Sequence, residues 1–292
     1  MNKIKKFKSE FDLVISISST SNSGVLGCLI SKKLGIPFII LEHMTLYQRK
    51  LIRFWHKRFL RKVQNLAKII APVSEPLDAS LKKFNPNINT CVIYNPISDF
   101  MFENTTSDLS SHLKDFAGGS FCFGAWTTWR KIKRLDLLLG AFSEFKLKSR
   151  KSCKLIVGGK FADKKLVYKM KKDPDILFLG ALSRKDINVL SAFIDCCILC
   201  SDHETFGLPI AEAMAKGKPV IATKCGGIEN LIDDSLGLVI EKNDLGSLVK
   251  AMDYVSRENL FSSHKIKTFA QNSDIFFSQF SIKQVHSYMI IS

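Results

Sequence analysis

The chain has 292 residues, 46% of them hydrophobic, which is enough for one large or two ordinary globular domains. A mean hydropathy of +0.07, without an uninterrupted apolar run of membrane-spanning length, argues against an integral membrane protein. The formal net charge of +16 is concentrated early, since residues 1–100 hold 16 lysines and arginines against 6 aspartates and glutamates. An anionic partner surface is expected, but no sequence motif indicates nucleic acid.

Short apolar segments alternate with helical segments in the first hundred residues. The patterns predict strands at 12–18, 37–41, 68–73 and 90–94, and helices at 24–34, 48–68 and 75–84. Residues 99–119 are polar and end in two glycines, which favours a linker.

The predicted helix at 48–68 is the most basic part of the chain. Its apolar face would hold Ile52, Trp55, Phe59, Val63 and Leu66. Its basic face would hold Arg53, Lys57 and Arg61. Such a helix suits an anionic membrane surface, and the alternative is a packed helix with a solvated basic face.

The alternation restarts after the predicted linker. Strands are predicted at 121–125, 154–157, 176–179, 196–200, 219–223 and 238–240, and helices at 135–148, 184–192, 228–232 and 244–254. Repeated strand–helix units predict an α/β protein with two consecutive parallel sheets, in which ligands bind beyond the carboxyl ends of the strands. Eight cysteines lie mostly in apolar segments without a paired CxxC framework, which indicates buried thiols in a reducing cytosol.

Residues 201–223 carry the clearest functional pattern. Glu204 ends a predicted strand-to-helix loop, and Glu212 lies in the helix that follows. Between them, Phe206, Gly207 and Leu208 present backbone N–H groups at the helix start, where phosphate binds readily. Amides that bind phosphate, placed between two carboxylates that accept hydrogen bonds from hydroxyl groups, suit a sugar nucleotide. The alternative is that Glu212 is an ordinary residue on a solvated helix face.

Several motifs occur in a specific order around this pattern. They comprise residues 124–136, 178–183, 204–212 and 217–229. Together they resemble family 4 of the retaining glycosyltransferases, and the resemblance runs from about Phe11 to Tyr288. It implies the GT-B fold, in which two Rossmann-like domains with parallel sheets face each other across a cleft. We expect an N-terminal domain at 1–115, a nucleotide-sugar domain at 116–262, and a helical segment at 263–292 that packs back toward the first domain.

The resemblance also implies roles for individual residues. Glu204 would contact the donor sugar at the reaction centre, and Glu212 would bind the ribose. The amides of residues 206–208 would hold the diphosphate and sugar, together with Lys133 from the loop at 124–136. The family's usual arginine is replaced by Ala125, and Arg130 is the candidate substitute, although exposed loop charge explains Arg130 equally well.

The N-terminal half departs from the family pattern. The first strand resembles a later strand of the family, so the domain is expected to be shortened, and no histidine follows it in residues 16–21. Glu42 and His43 do match a Glu-His pair of the family. His43 would then line the cleft near the acceptor, or serve only as a structural histidine at a strand end.

The resemblance implies a metal-independent hexosyltransferase without a resident cofactor, in which backbone amides and Lys133 would stabilise the leaving diphosphate. It would use a UDP- or GDP-linked sugar, retain the anomeric configuration, and act on a lipid-linked or polysaccharide acceptor in lipopolysaccharide or capsule synthesis. We expect a cytoplasmic protein that is peripheral at the inner face of the plasma membrane. One alternative is a non-catalytic GT-B relic that binds nucleotide or serves as a partner of an active transferase. Another is a sugar-nucleotide epimerase, which the sequence between the two glutamates disfavours.

Overall fold

The computed structural model describes residues 10–49, 52–149, 151–227, 232–257 and 260–272. The chain divides into two compact units, Met1–Asn95 and Pro96–Ser292. Each unit is built on its own parallel sheet, as the alternating pattern predicts.

The first unit contains three strands and three helices. In chain order they are β1 Val14–Ile17, α1 Asn22–Leu34, β2 Phe38–Glu42, α2 Phe54–Gln64, β3 Ile69–Pro72 and α3 Glu75–Phe84. The sheet has the order β1-β2-β3, and all pairs are parallel. The predicted strand at 90–94 is not a regular strand, because only one bridge, between Ile70 and Thr90, joins it to β3.

Strand β1 lies at the edge of this sheet with apolar side chains uncovered on one face. Ser16 faces α1 and is buried, whereas Ile15 and Ile17 are 53% and 64% exposed. Ile39 on β2, which pairs with Ile15, is buried. The residues that cover this face of the sheet therefore cover β2 but leave Ile15 and Ile17 of β1 exposed.

Helix α2 is rotated relative to the predicted apolar face. Leu60 and Val63 are buried, while Phe59 and Leu66 are exposed, so the predicted apolar face is not buried as a whole. The physical reason is that the buried side of α2 also holds Gln64, which takes part in a polar network. The side chain of Trp55, and residues 50–51 of the predicted helix, lie outside the described part.

The second unit contains six strands and seven helices within its described part. In chain order they are α4 Asp108–Ala117, β4 Phe121–Trp126, α5 Leu135–Lys148, β5 Cys153–Gly158, α6 Lys164–Lys172, β6 Ile176–Gly180, α7 Arg184–Phe193, β7 Cys196–Leu199, α8 Leu208–Ala215, β8 Val220–Thr223, β9 Gly237–Ile240, α9 Leu245–Ser256 and α10 Ser263–Asn272. The parallel sheet has the order β6-β5-β4-β7-β8-β9. The predicted helix at 228–232 falls largely outside the described residues.

The polar segment at 99–119 is folded and is not a linker. Helix α4 packs on α7, and Met101 and Leu113 are buried. Asn188 of α7 donates its side-chain N–H to the carbonyl of Phe100 at 2.5 Å. The segment therefore belongs to the second unit. The two units meet in sequence between Asn95 and Pro96, before the predicted boundary at 115. Helix α10 packs on α8, and residues 273–292 of the predicted C-terminal segment lie outside the described residues.

All eight cysteines are free thiols, and seven of them are buried. Cys196 and Cys197 belong to β7 and are fully enclosed, and burial raises the pKa of both thiols well above the usual range. The cluster that the sequence places at 196–200 is therefore part of the core.

Candidate donor site in the second unit

The candidate site lies at the carboxyl ends of β4 and β7, where the order of strands in the sheet reverses direction. Phe123 and Gly124 of β4 pair with Cys196 and Cys197 of β7, so the loops that leave the two strands start side by side. This switch point is where parallel α/β sheets bind ligands. The two loops cover residues 127–134 and 200–207.

Lys133 and Glu204 meet between these loops. The Nζ atom of Lys133 lies 2.5 Å from Oε1 of Glu204, and both side chains are largely buried. Ser201 donates its hydroxyl to the same oxygen at 2.7 Å. The cluster therefore holds a cation and a carboxylate in fixed positions where their charges compensate, as buried ions require.

Backbone bonds fix the two loops to each other. The amide of Asp202 donates to the carbonyl of Ile132 at 2.7 Å, and the Asp202 carboxylate pairs with Arg134 at 3.3 Å. The amide of Glu204 donates to the carbonyl of Cys225 at 2.9 Å, which attaches the loop to the segment after β8. Lys133 and Glu204 are thus presented by backbone that is held on both sides.

Glu212 lies one turn inside α8 and receives a hydrogen bond from the other strand. The indole Nε1 of Trp126, the last residue of β4, donates to its Oε2 at 2.6 Å. Burial raises the pKa of Glu212 to about 7, and the bonds and charges from Trp126 and Arg184 oppose this shift only in part. Near neutral pH the carboxyl group is therefore partly protonated, so it is able either to donate or to accept a hydrogen bond.

Helix α8 begins at a tight bend between the two glutamates. Gly207 precedes the helix with φ of 101°, a conformation that L-residues with side chains rarely adopt. Phe206 anchors the bend in the core, whereas Leu208 is 43% exposed. Pro209 has no amide N–H, and the amides of Ile210 and Ala211 donate to the carbonyl of Gly207, so Leu208 supplies the first helical amide at this bend.

The predicted motif at 178–183 covers the end of β6 and the start of α7. The carbonyl of Gly180 accepts the amide of Gly159 at 2.5 Å, which links the ends of β5 and β6. Ser183 caps α7 by accepting from the amide of Asp186 at 3.1 Å. Arg130, the predicted substitute for the family arginine, has an exposed side chain on the loop after β4, and its role in donor binding stays a prediction.

In the first unit, His43 follows β2 next to a buried carboxylate. Glu42 is fully buried and accepts from the amides of Ser19, His43 and Met44, at 2.9, 3.1 and 3.1 Å. Burial lowers the pKa of His43, and the charge of Glu42 opposes the shift. The imidazole is therefore held predominantly neutral at pH 7, as a hydrogen-bond acceptor or general base requires.

Sequence reasoning missed two members of the candidate site. Trp126 was treated only as a residue of the loop, and Ser201 only as the start of the glutamate motif. Each contacts a predicted glutamate. The position of Ser201 three residues before Glu204 is a local signal, whereas the position of Trp126 depends on the order of strands.

Within the described residues, no group of three or more His, Cys, Asp or Glu side chains is arranged to hold a metal ion. Among the described helices, none has the length and apolar character to cross a membrane.

Comparison with known proteins agrees with this architecture. The family model of glycosyl transferases group 1 matches residues 126–277, which is about half of the chain. An uncharacterized glycosyltransferase of Methanocaldococcus jannaschii is 27% identical over 268 residues, covering 88% of this chain and 68% of that protein. The alpha-monoglucosyldiacylglycerol synthase of Acholeplasma laidlawii is 24% identical, covering 94% of this chain and 72% of the synthase. Three other curated relatives align over 31%, 25% and 16% of their own length.

Among solved structures, that of Anabaena HepE in complex with UDP and glucose superimposes with a TM-score of 0.84. It is 20% identical, and the match covers all of this chain and 81% of HepE. Likeness at this level of identity shows a shared GT-B fold.

Proposed function

Because the chain belongs to the glycosyl transferases group 1 family, we propose that it transfers a hexose from a nucleotide sugar to a lipid-linked or glycan acceptor. The anomeric configuration of the hexose is retained, and the nucleoside diphosphate leaves without help from a metal ion. The product is a glycan or glycolipid of the cell envelope.

The observation that carries this proposal is the pairing of Lys133 with Glu204 at the switch point of the sheet. The ammonium group of Lys133 stabilises the charge that develops on the leaving diphosphate. Glu204, oriented by Ser201, contacts hydroxyl groups of the hexose at the reaction centre. Fixed groups of this kind lower the barrier because they need no reorganisation during the reaction.

Glu212 and the start of α8 complete the donor site. The amides of residues 206–208 face the diphosphate at the positive end of the helix dipole. Glu212 accepts from the ribose hydroxyl groups, and the indole of Trp126 fixes its orientation. The complex of HepE with UDP and glucose supports UDP as the nucleotide to test first.

His43 is proposed to act on the acceptor side. Its backbone is fixed by Glu42, and its neutral imidazole is able to accept a proton from an acceptor hydroxyl. The matched test is His43→Gln, which should reduce transfer to acceptor while leaving hydrolysis of the donor unchanged.

A lipid-linked acceptor agrees with the surface of α2. Arg58, Phe59 and Lys62 share one exposed face of this helix, and the exposed Leu66 follows its carboxyl end. Cations interleaved with apolar side chains bind anionic bilayers. The Acholeplasma relative is named for a diacylglycerol product, which supports an acceptor of this class.

The donor proposal is tested with a panel of UDP-, GDP- and ADP-hexoses, by release of nucleotide and by the anomeric configuration of the product in NMR spectra. Glu204→Gln and Lys133→Ala should each reduce turnover by at least about a hundredfold. Glu103→Gln and Lys164→Ala change exposed residues elsewhere and serve as controls.

Normal turnover in Glu204→Gln would show that the catalytic assignment is wrong. Nucleotide binding without turnover of any donor would favour the non-catalytic alternative. A chain that binds none of these nucleotides would refute both readings.

The membrane proposal is tested by sedimentation with vesicles that contain anionic lipid. Arg58→Glu/Lys62→Glu should abolish binding, and so should high salt. Lys164→Glu/Lys171→Glu makes the same change of charge on α6 and should leave binding intact. Arg61 is avoided because its guanidinium donates two bonds to the carbonyl of Phe84 and so supports the fold. Equal binding by both double variants would refute the assignment to α2.

A further inference from the structure

A cavity of about 910 Å³ lies beside the candidate donor site, between the loop after β4 and helix α6. Neither Lys133 nor Glu204 lines it. Its walls come from the loop at 129–136, from residues 161–169, and from Asp202. It is therefore a separate concave surface of the second unit, and a volume of this size accommodates a small organic ligand.

Four cations on the walls of the cavity have no counter-ion in the described part of the chain. They are Arg130, Lys131, Lys165 and Lys169. All four are exposed, and none of their side chains makes an ion pair or a hydrogen bond with a described residue. Lys165 and Lys169 are four residues apart on one face of α6, so their side chains point to the same region.

The carboxylates of the cavity are already occupied. Asp163 caps α6 by accepting from the amides of Lys165 and Leu166, at 2.8 and 3.3 Å. Asp136 and Asp202 both pair with Arg134, at 3.0 and 3.3 Å. Five cations and three carboxylates line the cavity, so its formal net charge is +2, and concave positive surfaces concentrate anions.

An aromatic ring stands at the same cavity. Phe161 is 77% exposed and has a φ of 61°, which is unusual for a bulky side chain. Strained, exposed positions of this type cluster where proteins contact ligands. The ring offers a flat apolar surface next to the cations, which matches a ligand with an anionic group and a ring-shaped body.

We propose that this cavity binds a phosphorylated sugar, with the phosphate among Arg130, Lys131, Lys165 and Lys169 and the sugar ring against Phe161. A phosphate dianion has enough charge and enough acceptor oxygens to engage several of these cations at once. Lys133, Glu204 and Glu212 do not line this cavity, so binding here does not depend on the function proposed for them, and Arg130 is a candidate ligand residue of both sites.

The test is calorimetric titration of the full chain with glucose 6-phosphate, with and without saturating UDP. Saturable binding at one ligand per chain is expected under both conditions. Lys165→Glu/Lys169→Glu should weaken it by about tenfold or more, because two cations that engage the phosphate are replaced by carboxylates that repel it. Lys164→Glu/Lys171→Glu reverses two charges on the same helix outside the cavity and should have no effect.

The other probes separate the parts of the ligand. Inorganic phosphate should bind more weakly than glucose 6-phosphate, glucose should not bind, and Phe161→Ala should remove the difference between the two phosphates. The proposal is overturned if glucose 6-phosphate fails to bind at millimolar concentration, or if both double variants weaken binding equally. Equal affinity for glucuronate would overturn the assignment to a phosphate. UDP binding by the variants reports on the donor site separately.

Discussion

The protonation of Glu212 gives the sharpest prediction. Its pKa is raised from an ordinary value of 4.5 to about 7 because the carboxylate is buried. Between these two values the folded protein holds a proton that the unfolded chain has released. Stability should therefore fall as pH rises from 4.5 to about 7 and then become constant. The difference between the two pKa values corresponds to about 3 kcal/mol.

Replacing Glu212 with Gln removes this titration but leaves a side-chain oxygen for the indole of Trp126. The variant should thus gain stability relative to wild type as pH rises, by up to about 3 kcal/mol at pH 8 compared with pH 4.5. Denaturant unfolding followed by tryptophan fluorescence measures the difference, because Trp126 and Trp129 both belong to the second unit. Glu103→Gln, at an exposed position, is the control and should show no trend with pH.

The same substitution tests the proposed contact with ribose. Ribose hydroxyl groups donate best to the ionised carboxylate, so the affinity for UDP should rise from pH 6 to about 8 in wild type. The rise should be smaller in Glu212→Gln, in which only the ionisation of the terminal phosphate of UDP remains. A stability difference between variant and wild type that is constant over the whole pH range would refute the reasoning about burial at this residue.

Two further predictions concern packing. Gly159→Ala should lower the free energy of unfolding by more than about 2 kcal/mol, because an added Cβ would lie 1.8 Å from the carbonyl oxygen of Thr127. Gly118→Ala, with φ of 52° and open space around it, should cost only about 1 kcal/mol, and equal melting temperatures of the two variants would contradict this. Cys91, which is partly exposed, should react with a thiol reagent long before Cys197, as mass spectrometry would show. Equal labelling of both thiols in the native protein would contradict the burial of β7.

Much of the fold could be predicted because local signals agree with burial. The predicted helices at 75–84 and 135–148 are observed with the same ends as α3 and α5. In α3 the hydroxyl of Ser74 accepts from the amide of Leu77, and Leu77 and Leu81 recur at helical spacing on the buried face.

The helices that the sequence did not predict are those whose polar composition gives only a weak hydrophobic periodicity. Helix α4 is polar and buries only Leu113 and Ala117, which is too weak a periodic signal to oppose its linker-like composition. Helix α6 was not predicted, because lysines dominate it and it buries only Met170. In both helices contact with the rest of the unit supplies the stability that the local sequence lacks.

The glutamates and Lys133 of the candidate site could be proposed from the sequence, but the contacts that the glutamates make could not. Glu204 and Glu212 are close in sequence, so one motif indicates both. Their contacts with Lys133 and Trp126 span 71 and 86 residues and exist only because β4 and β7 are neighbours. Strand order is a property of the whole sheet, and local patterns do not encode it.

The ion pair between Lys133 and Glu204 has a consequence for selectivity between substrates and simple anions. A free phosphate ion that approaches Lys133 must compete with Glu204 and leaves that carboxylate without its cation in a largely buried position. A nucleotide sugar would break the same ion pair, but its diphosphate would then pair with Lys133 and its sugar hydroxyl groups would donate to Glu204. With the proposed donor role of Lys133 and Glu204, this site would therefore select against the phosphate that is abundant in cells and in favour of a ligand that satisfies both charges.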